Sequence, residues 1–505
     1  MQPLKPPRSA TRAVVLSALG VVLFAAFAAT PGSTFQPVLP EGARPGGPFR
    51  WLGSLLRFDR LSGGWLVAVG VLVAMFCVGT FLLVLRECWR GNVAPRTVLI
   101  LGVAYQVVVL LLPLLFSRDV YSYAFYGRIA GVYHANPYVH TPVEFASDPL
   151  WALVGPRWVN TPAVYGPLWT GLSSVLARVI HSPAGMVHAF RLVAVGAALA
   201  TIWVIRDTTR RVWPERTAFG VAVFALNPVV LFHSVASGHN DVLVGLAVAG
   251  AFAFLLRARE LPAVALLAVG TLVKATGAIP LLLVLVWCVA RTPRGRRLHA
   301  ALTHVGLAAV IGLAFALPFM NAHDPSLGML ELAGHEGWLA PSPSVRRLVE
   351  TISFGTLGWV ARVAFALVLV VAVLGLARDV ARRATERTPR DLGAAMGWSL
   401  ILIMLLGPVL LPWYVMWALP LAWLLPRAPR TTLIVAGVGL ALAQWSTEPL
   451  RFPGTFDANL WFGHWVVVPA MCVLLIWTLV DLRRRLRLGL PLEDQEEIAE
   501  ATAHH

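Results

Sequence analysis

The chain reads as an all-α polytopic membrane protein, with about fourteen helical crossings of a bilayer. Three observations predict this. Hydrophobic residues make up 58% of the 505 and charged residues only 13%, with a mean hydropathy of +0.72, whereas a soluble domain carries roughly 25% charged residues. The apolar residues gather in runs of about 17 to 25, the length that spans a hydrocarbon core as a helix. Arginine gathers on one set of connections between those runs. Backbone groups in lipid need partners within their own segment, which selects helices. The roughly ten-residue alternating pattern of a membrane β-barrel is absent.

In order, the runs are Ala13–Thr30, Trp65–Leu85, Thr97–Phe116, Val187–Ile205, Ala218–Ser237, Asp241–Leu256, Ala300–Met320, Val360–Ala377, Leu392–Leu411, Val415–Leu425, Leu433–Trp445 and Val466–Val480. The first follows basic Lys5, Arg8 and Arg12 and could be a cleavable signal; its length and the helix after it favour a retained span. Leu261–Ala290 holds one charge, Lys274. It is too long for one straight span and short for two, so it reads as two short helices meeting near Lys274–Gly277. If Val164–Ile180 and Val187–Ile205 both crossed, the basic tail would end outside. Tyr165–Ile180 is therefore expected to be short or re-entrant, leaving both termini inside.

The arginine-rich connections are Arg86/Arg90/Arg96, Arg206/Arg210/Arg211/Arg216, Arg257/Arg259, Arg291/Arg294/Arg296/Arg297, Arg378 to Arg390, Arg427/Arg430 and Arg483 to Arg487. They should face the cytoplasm of a cell-membrane protein. The net charge of +16 then reflects topology and contact with anionic lipid. No basic folded module exists to hold nucleic acid. The opposite stretches, Pro31–Gly64, Ser117–Pro162, Asn321–Glu350 and Thr447–His464, hold much of the Trp, His, Asn and Asp, so function is expected outside. Cys77, Cys288 and Cys472 fall in apolar runs and Cys88 in a connection. Neither zinc spacing nor a disulfide framework is implied.

Five groups of residues, most of them on that outer side, carry candidate chemistry. Arg118 and Asp119 leave the membrane directly after Phe116, followed by Tyr121, Arg128, Asn136, Tyr138 and, at the entry to a helix, Tyr165. Ionisable residues at a membrane boundary are costly and tend to be functional, although a local Arg–Asp pair that ends the helix would explain the first two. Aromatic side chains with Arg and Asn can line a sugar site, and an interfacial aromatic belt has the same composition. His239, Asn240 and Asp241 link two helices; Asn240 or Asp241 could simply cap one. Lys274 must snorkel, pair or meet an anion. Arg346 and Arg347 could dock a phosphate or sit among headgroups, and Trp413 and Tyr414 follow Pro412.

The order Arg118-Asp119-Val120-Tyr121, Asn136-Pro137-Tyr138, Tyr165-Gly166-Pro167-Leu168, Asn227-Pro228, Gly238-His239-Asn240-Asp241, Lys274 and Pro412-Trp413-Tyr414 resembles the GT-C-fold membrane glycosyltransferases that use polyprenyl-phosphate sugars. The nearest branch is the actinobacterial α-mannosyltransferases of lipomannan synthesis. The likeness covers roughly 97–480, as a GT-C-like catalytic core after an N-terminal helix pair (1–96) and before a basic-then-acidic tail (481–505). It implies a polyprenyl-phosphate donor, mannose above other sugars, and a glycan or lipoglycan acceptor on the outer face. Asp119 matches the place of the family's catalytic carboxylate, and the other residues named above would bind substrate. Metal ligands are not assigned, no cofactor is called for, and a divalent cation stays open. The competing class is a transporter or flippase for a lipid-linked or anionic substrate. Such a protein would place its ionisable groups at the midplane, usually with repeat symmetry; here most cluster at one face.

Overall fold

The computed structural model describes residues 7–40, 47–320, 328, 335–337, 339–444 and 452–494. Lys5, Trp338 and the end of the tail lie outside them, as do parts of the stretches Asn321–Glu350 and Thr447–His464. The helices are α1 (Arg8–Ala29), α2 (Arg50–Leu55), α3 (Gly63–Trp89), α4 (Pro95–Leu110), α5 (Asp119–Gly131), α6 (Pro167–Val179), α7 (Pro183–Val212), α8 (Thr217–Ala225), α9 (Asp241–Leu255), α10 (Glu260–Val273), α11 (Ala278–Arg291), α12 (Arg297–Ala316), α13 (Pro341–Ile352), α14 (Gly358–Arg382), α15 (Pro389–Leu406), α16 (Arg427–Ala443), α17 (Pro453–Phe462) and α18 (Val468–Leu488). Among the described residues there is no strand. Several helices open on proline, whose missing N–H costs nothing in a first turn. Thr388 and Asp391 close a capping box on α15.

Among the described residues, 8 helices are long and apolar enough to cross a membrane, fewer than the fourteen crossings expected. Pro95–Leu110, Asp241–Leu255, Glu260–Val273 and Ala275–Arg291 are apolar but shorter. α6 has 13 residues, about 20 Å of helix against a core of about 30 Å; the short-helix expectation for Tyr165–Ile180 holds. Val415–Leu425 departs from its expected span. It forms 3-10 turns over Pro412–Trp417 and Leu419–Leu424, because Pro420 removes an interior hydrogen bond and its ring clashes with the preceding turn. For the same reason α4 stops short of Pro113, and irregular chain runs on to Phe116, at φ 55. Cys88 lies buried near the end of α3 instead of in a connection.

The chain divides into two compact units. The first comprises 1–163, 170–242 and 437–462; the second comprises 164–169, 243–436 and 463–505. In the first, α1 packs along α3, and Ser17 Oγ lies 3.0 Å from Tyr105 Oη. Its centre is aromatic: Phe24 stacks on Phe232 at 3.5 Å and on Phe35 at 4.8 Å, and Phe116 stacks on His233 at 4.2 Å. In the second, α11 packs with α14 and α15. The Arg378–Arg390 connection is tied down by buried Arg387, which bridges Asp379 at 2.9 Å and Asp391 at 3.4 Å.

The expected break at Lys274 is present. α10 and α11 have 14 residues each, and between them Lys274 adopts extended backbone (φ −155, ψ 132) before a 3-10 turn over Ala275–Gly277. Glu260 at the start of α10 lies beside Cys288 near the end of α11. The pair is thus an antiparallel hairpin with Lys274 at its tip.

Candidate active site

In the first unit, two irregular segments are stitched together to make the site. One is the chain 111–118 leading into α5; the other follows the π-helical turn Val229–Val235 and leads into α9. Ser237 Oγ donates to the Leu115 carbonyl at 2.8 Å. Arg191, on α7 and 0% exposed, donates to the carbonyls of Pro113 at 3.0 Å and Ala236 at 2.8 Å, and to that of Leu112. One guanidinium fork therefore holds both segments where helix no longer satisfies their backbone. Gly238 turns the second segment at φ +68, where a Cβ would also meet the Val120 side chain; only glycine adopts this without strain.

These constraints place Asp119 in the first turn of α5, where the helix N-terminus favours a carboxylate. Its Oδ2 lies 3.7 Å from His239 Nδ1, with side chains 18% and 0% exposed respectively. Tyr123 Oη is 3.2 Å from the same nitrogen. Arg118 donates to the Val38 carbonyl. Asn240 is buried, and neither its amide nitrogen nor its oxygen has a hydrogen-bond partner among the described residues, so its side chain is not the cap of α9. Asp241, fully buried, opens that helix. Tyr121 is buried as well.

The rest of the chain from α5 to α6 is held by its own pairs. Arg128 forms a 2.7 Å ion pair with Asp148, which also accepts from Tyr133 Oη at 2.6 Å and from the Leu150 N–H at 2.8 Å. Arg128 therefore has a structural task. Hydrogen bonds from His140 and the Thr141 backbone hold the Glu144 carboxyl below the usual carboxylate range. Asn136 makes an Asx turn, its Oδ1 accepting from the Tyr138 N–H at 3.0 Å, and Tyr138 Oη lies 2.9 Å from Thr170 Oγ1.

In the second unit, Lys274 Nζ lies 4.3 Å from the Tyr414 ring centroid and 5.3 Å from that of Trp417. The two rings stack at 4.3 Å. Trp413 and Tyr165 are buried. The Tyr165-Gly166 turn docks on the hairpin tip: the Gly166 N–H donates to the Val273 carbonyl at 3.0 Å, and a Cβ on Gly166 would run into the Leu272 carbonyl. The proposed phosphate pair is differently placed. Arg346 is already engaged with Glu336 at 2.7 Å and with Glu350, while Arg362 reaches Glu336 at 2.7 Å. Partial burial would raise the Glu336 carboxyl, but the hydrogen bonds from Arg346 and Arg362 outweigh it and hold it below its usual range. Exposed Arg347 donates to the Pro343 carbonyl at 3.2 Å.

Sequence reading missed Arg191 and Tyr123 as parts of this arrangement. The signal for Arg191 was a lone charge inside the apolar run Val187–Ile205. Arg191→Leu should leave several buried carbonyls unsatisfied, at about 1–3 kcal/mol each. Its thermal unfolding in detergent is expected well below that of the wild type, with Arg191→Lys in between. Equal unfolding temperatures would remove the clamp.

Residues 16–291 match the family model "Alpha-(1->6)-mannopyranosyltransferase, N-terminal domain". The chain is 26% identical over 407 residues to Alpha-(1->6)-mannopyranosyltransferase A of Mycobacterium tuberculosis, covering 78% of this chain and 76% of that protein. It is 29% identical over 262 residues to the A protein of Corynebacterium glutamicum, covering 48% and 52% of the two chains. Against the B protein of that organism it is 26% identical over 348 residues, covering 63% and 57%. No solved structure matches. The family match takes in Asp119, Arg191, His239 and the Lys274 hairpin tip, and the chain belongs to the alpha-(1->6)-mannopyranosyltransferase family of hexosyltransferases.

Proposed function

We propose that the protein transfers mannose from a polyprenyl-phosphate carrier to a glycan or lipoglycan acceptor at the outer face of the cell membrane, with Asp119 as general base. The observation that carries this reading is the Asp119 carboxylate. It stands in the first turn of a helix, partly exposed, beside a buried histidine, within the region that matches a mannosyltransferase family. In the reaction the acceptor oxygen bonds to the sugar's C1, the C1–O bond to phosphate breaks, and the hydroxyl proton passes to Asp119. The polyprenyl phosphate leaves carrying the negative charge. Proton removal and charge stabilisation are the two demands of such a transfer. Lys274, held at a helix break over two aromatic rings, is the proposed contact for the phosphate. A lipid-linked donor explains why a sugar-transfer enzyme is built almost wholly from apolar helices. The GT-C fold is part of the same reading.

The test is purified protein with polyprenyl-phosphate mannose or arabinose over a panel of acceptors. Mannose transfer is expected; arabinose transfer alone would overturn the donor assignment, and no transfer with either would overturn the reaction. Sidedness is tested separately. Single cysteines in a Cys-free background, placed in 133–160, are expected to react with an impermeant reagent in intact cells, whereas those in 383–388 should not. Labelling of 383–388 from outside would reverse the topology.

A further inference from the structure

A cluster at the end of the α10–α11 hairpin opposite Lys274 joins three helices of the second unit. Glu260 opens α10, Cys288 lies near the end of α11 and His304 lies in α12. One carboxylate oxygen, the thiol sulfur and one imidazole nitrogen all lie within 4.8 Å of one another. Cys288 is 1% exposed, and the His304 side chain is 10% exposed.

The hydrogen bonds fix which atoms face inward. His304 Nδ1 is 2.8 Å from the Ala300 carbonyl, which can only accept, so Nδ1 carries a proton. In the neutral ring Nε2 then presents its lone pair, and Nε2 is 3.5 Å from Glu260 Oε2. A backbone hydrogen bond to one ring nitrogen that leaves the other free to ligate is the usual support of a metal-binding histidine. Cys288 brings a single S–H. Three electron-rich atoms thus converge, two of them on buried residues, with the Cys288 S–H hydrogen-bonded to Glu260. A cation that takes the place of this proton would face all three.

We propose that Glu260, Cys288 and His304 bind one divalent transition-metal ion of the zinc class. Sulfur and nitrogen ligands exclude calcium and magnesium, which take oxygen. At a tetrahedral zinc, with Zn–S about 2.3 Å and Zn–N about 2.0–2.1 Å, neighbouring ligand atoms sit about 3.3–3.8 Å apart. The His304–Glu260 separation already meets this, and rotation of the side chains closes the remainder. Binding forms the metal–sulfur bond and releases the thiol proton to solvent. The fourth position is open to water on the side where Glu260 is 35% exposed. The ion would fasten both ends of the hairpin that carries Lys274 to α12. Spacing along the sequence could not reveal it, since each ligand comes from a different helix.

The experiment uses full-length protein in nanodiscs, stripped with chelator and titrated with cobalt(II). One equivalent is expected to give a thiolate-to-cobalt charge-transfer band in the near ultraviolet and the strong visible bands of a tetrahedral site; added zinc should abolish both. Cys288→Ser should lose the charge-transfer band although Cys77, Cys88 and Cys472 remain. His304→Gln should bind cobalt more weakly. Zinc should raise the unfolding temperature of the wild type and leave that of Cys288→Ser unchanged. Absence of the band in the wild type, or an undiminished band in Cys288→Ser, would overturn the proposal.

Discussion

Asp119→Asn is expected to express and fold like the wild type, to bind the donor, and to lose about 10²–10⁴-fold in turnover, the usual cost of removing a general base. The substitution keeps the size of the side chain and removes only its capacity to take a proton. Asp241 is the rival carboxylate, because it too belongs to a segment beside His239, two residues after it. Exposure separates them: the Asp119 side chain is 18% exposed, and Asp241 is at 0%. A base must touch the acceptor hydroxyl, which Asp119 can do from its position in the first turn of α5. Asp241→Asn should therefore act through folding, lowering the unfolding temperature before it lowers the rate. Should Asp119→Asn stay active while a well-folded Asp241→Asn is dead, the base is Asp241.

Lys274→Met is expected to cost about 10²–10³-fold in turnover, comparable to removing one charge-stabilising donor from an active site. Methionine fills much of the same space, so the hairpin should remain folded. The rival account is a cation that only packs on Tyr414 and Trp417, worth about 0.5–2 kcal/mol. The donor KM separates the two. Arginine both packs on aromatic faces and binds phosphate, so Lys274→Arg should keep much of the turnover in either case. A phosphate contact predicts a raised donor KM for Lys274→Met in protein that unfolds like the wild type; a structural role predicts a lowered unfolding temperature with an unchanged donor KM. Wild-type kinetics in Lys274→Met would remove the residue from the reaction.

Composition and periodicity were enough for the helical membrane architecture, because the bilayer imposes length and apolarity on every span. The break at Lys274 was legible for the same reason, as one charge in an overlong apolar run. Val415–Leu425 was misread as a helix since apolarity alone carries no backbone geometry; Pro420 was the stronger signal. The sequence singled out Asp119 and His239 but could not bring them to contact distance. That proximity depends on Arg191 and Ser237 bonding to backbone carbonyls, and a sequence does not display which carbonyls lack helical partners. The pairing of Arg128 with Asp148 was likewise not legible, since Asp148 lies in a loop without periodicity.

The hairpin of α10 and α11 also bears on how the chain enters the bilayer during synthesis. Each half has 14 residues, about 21 Å of helix, too short to serve as a stable membrane anchor by itself. Lysine at the centre of an inserting helix costs about 2.5–3.5 kcal/mol. Because both halves begin or end among arginines, the pair can partition laterally out of the translocation channel as one folded unit. Its single ammonium then travels at the leading turn, and no half-helix is left alone in lipid. Biogenesis would then depend on the tight packing of Gly277 against Gly270 and Thr271, well before any sugar is bound.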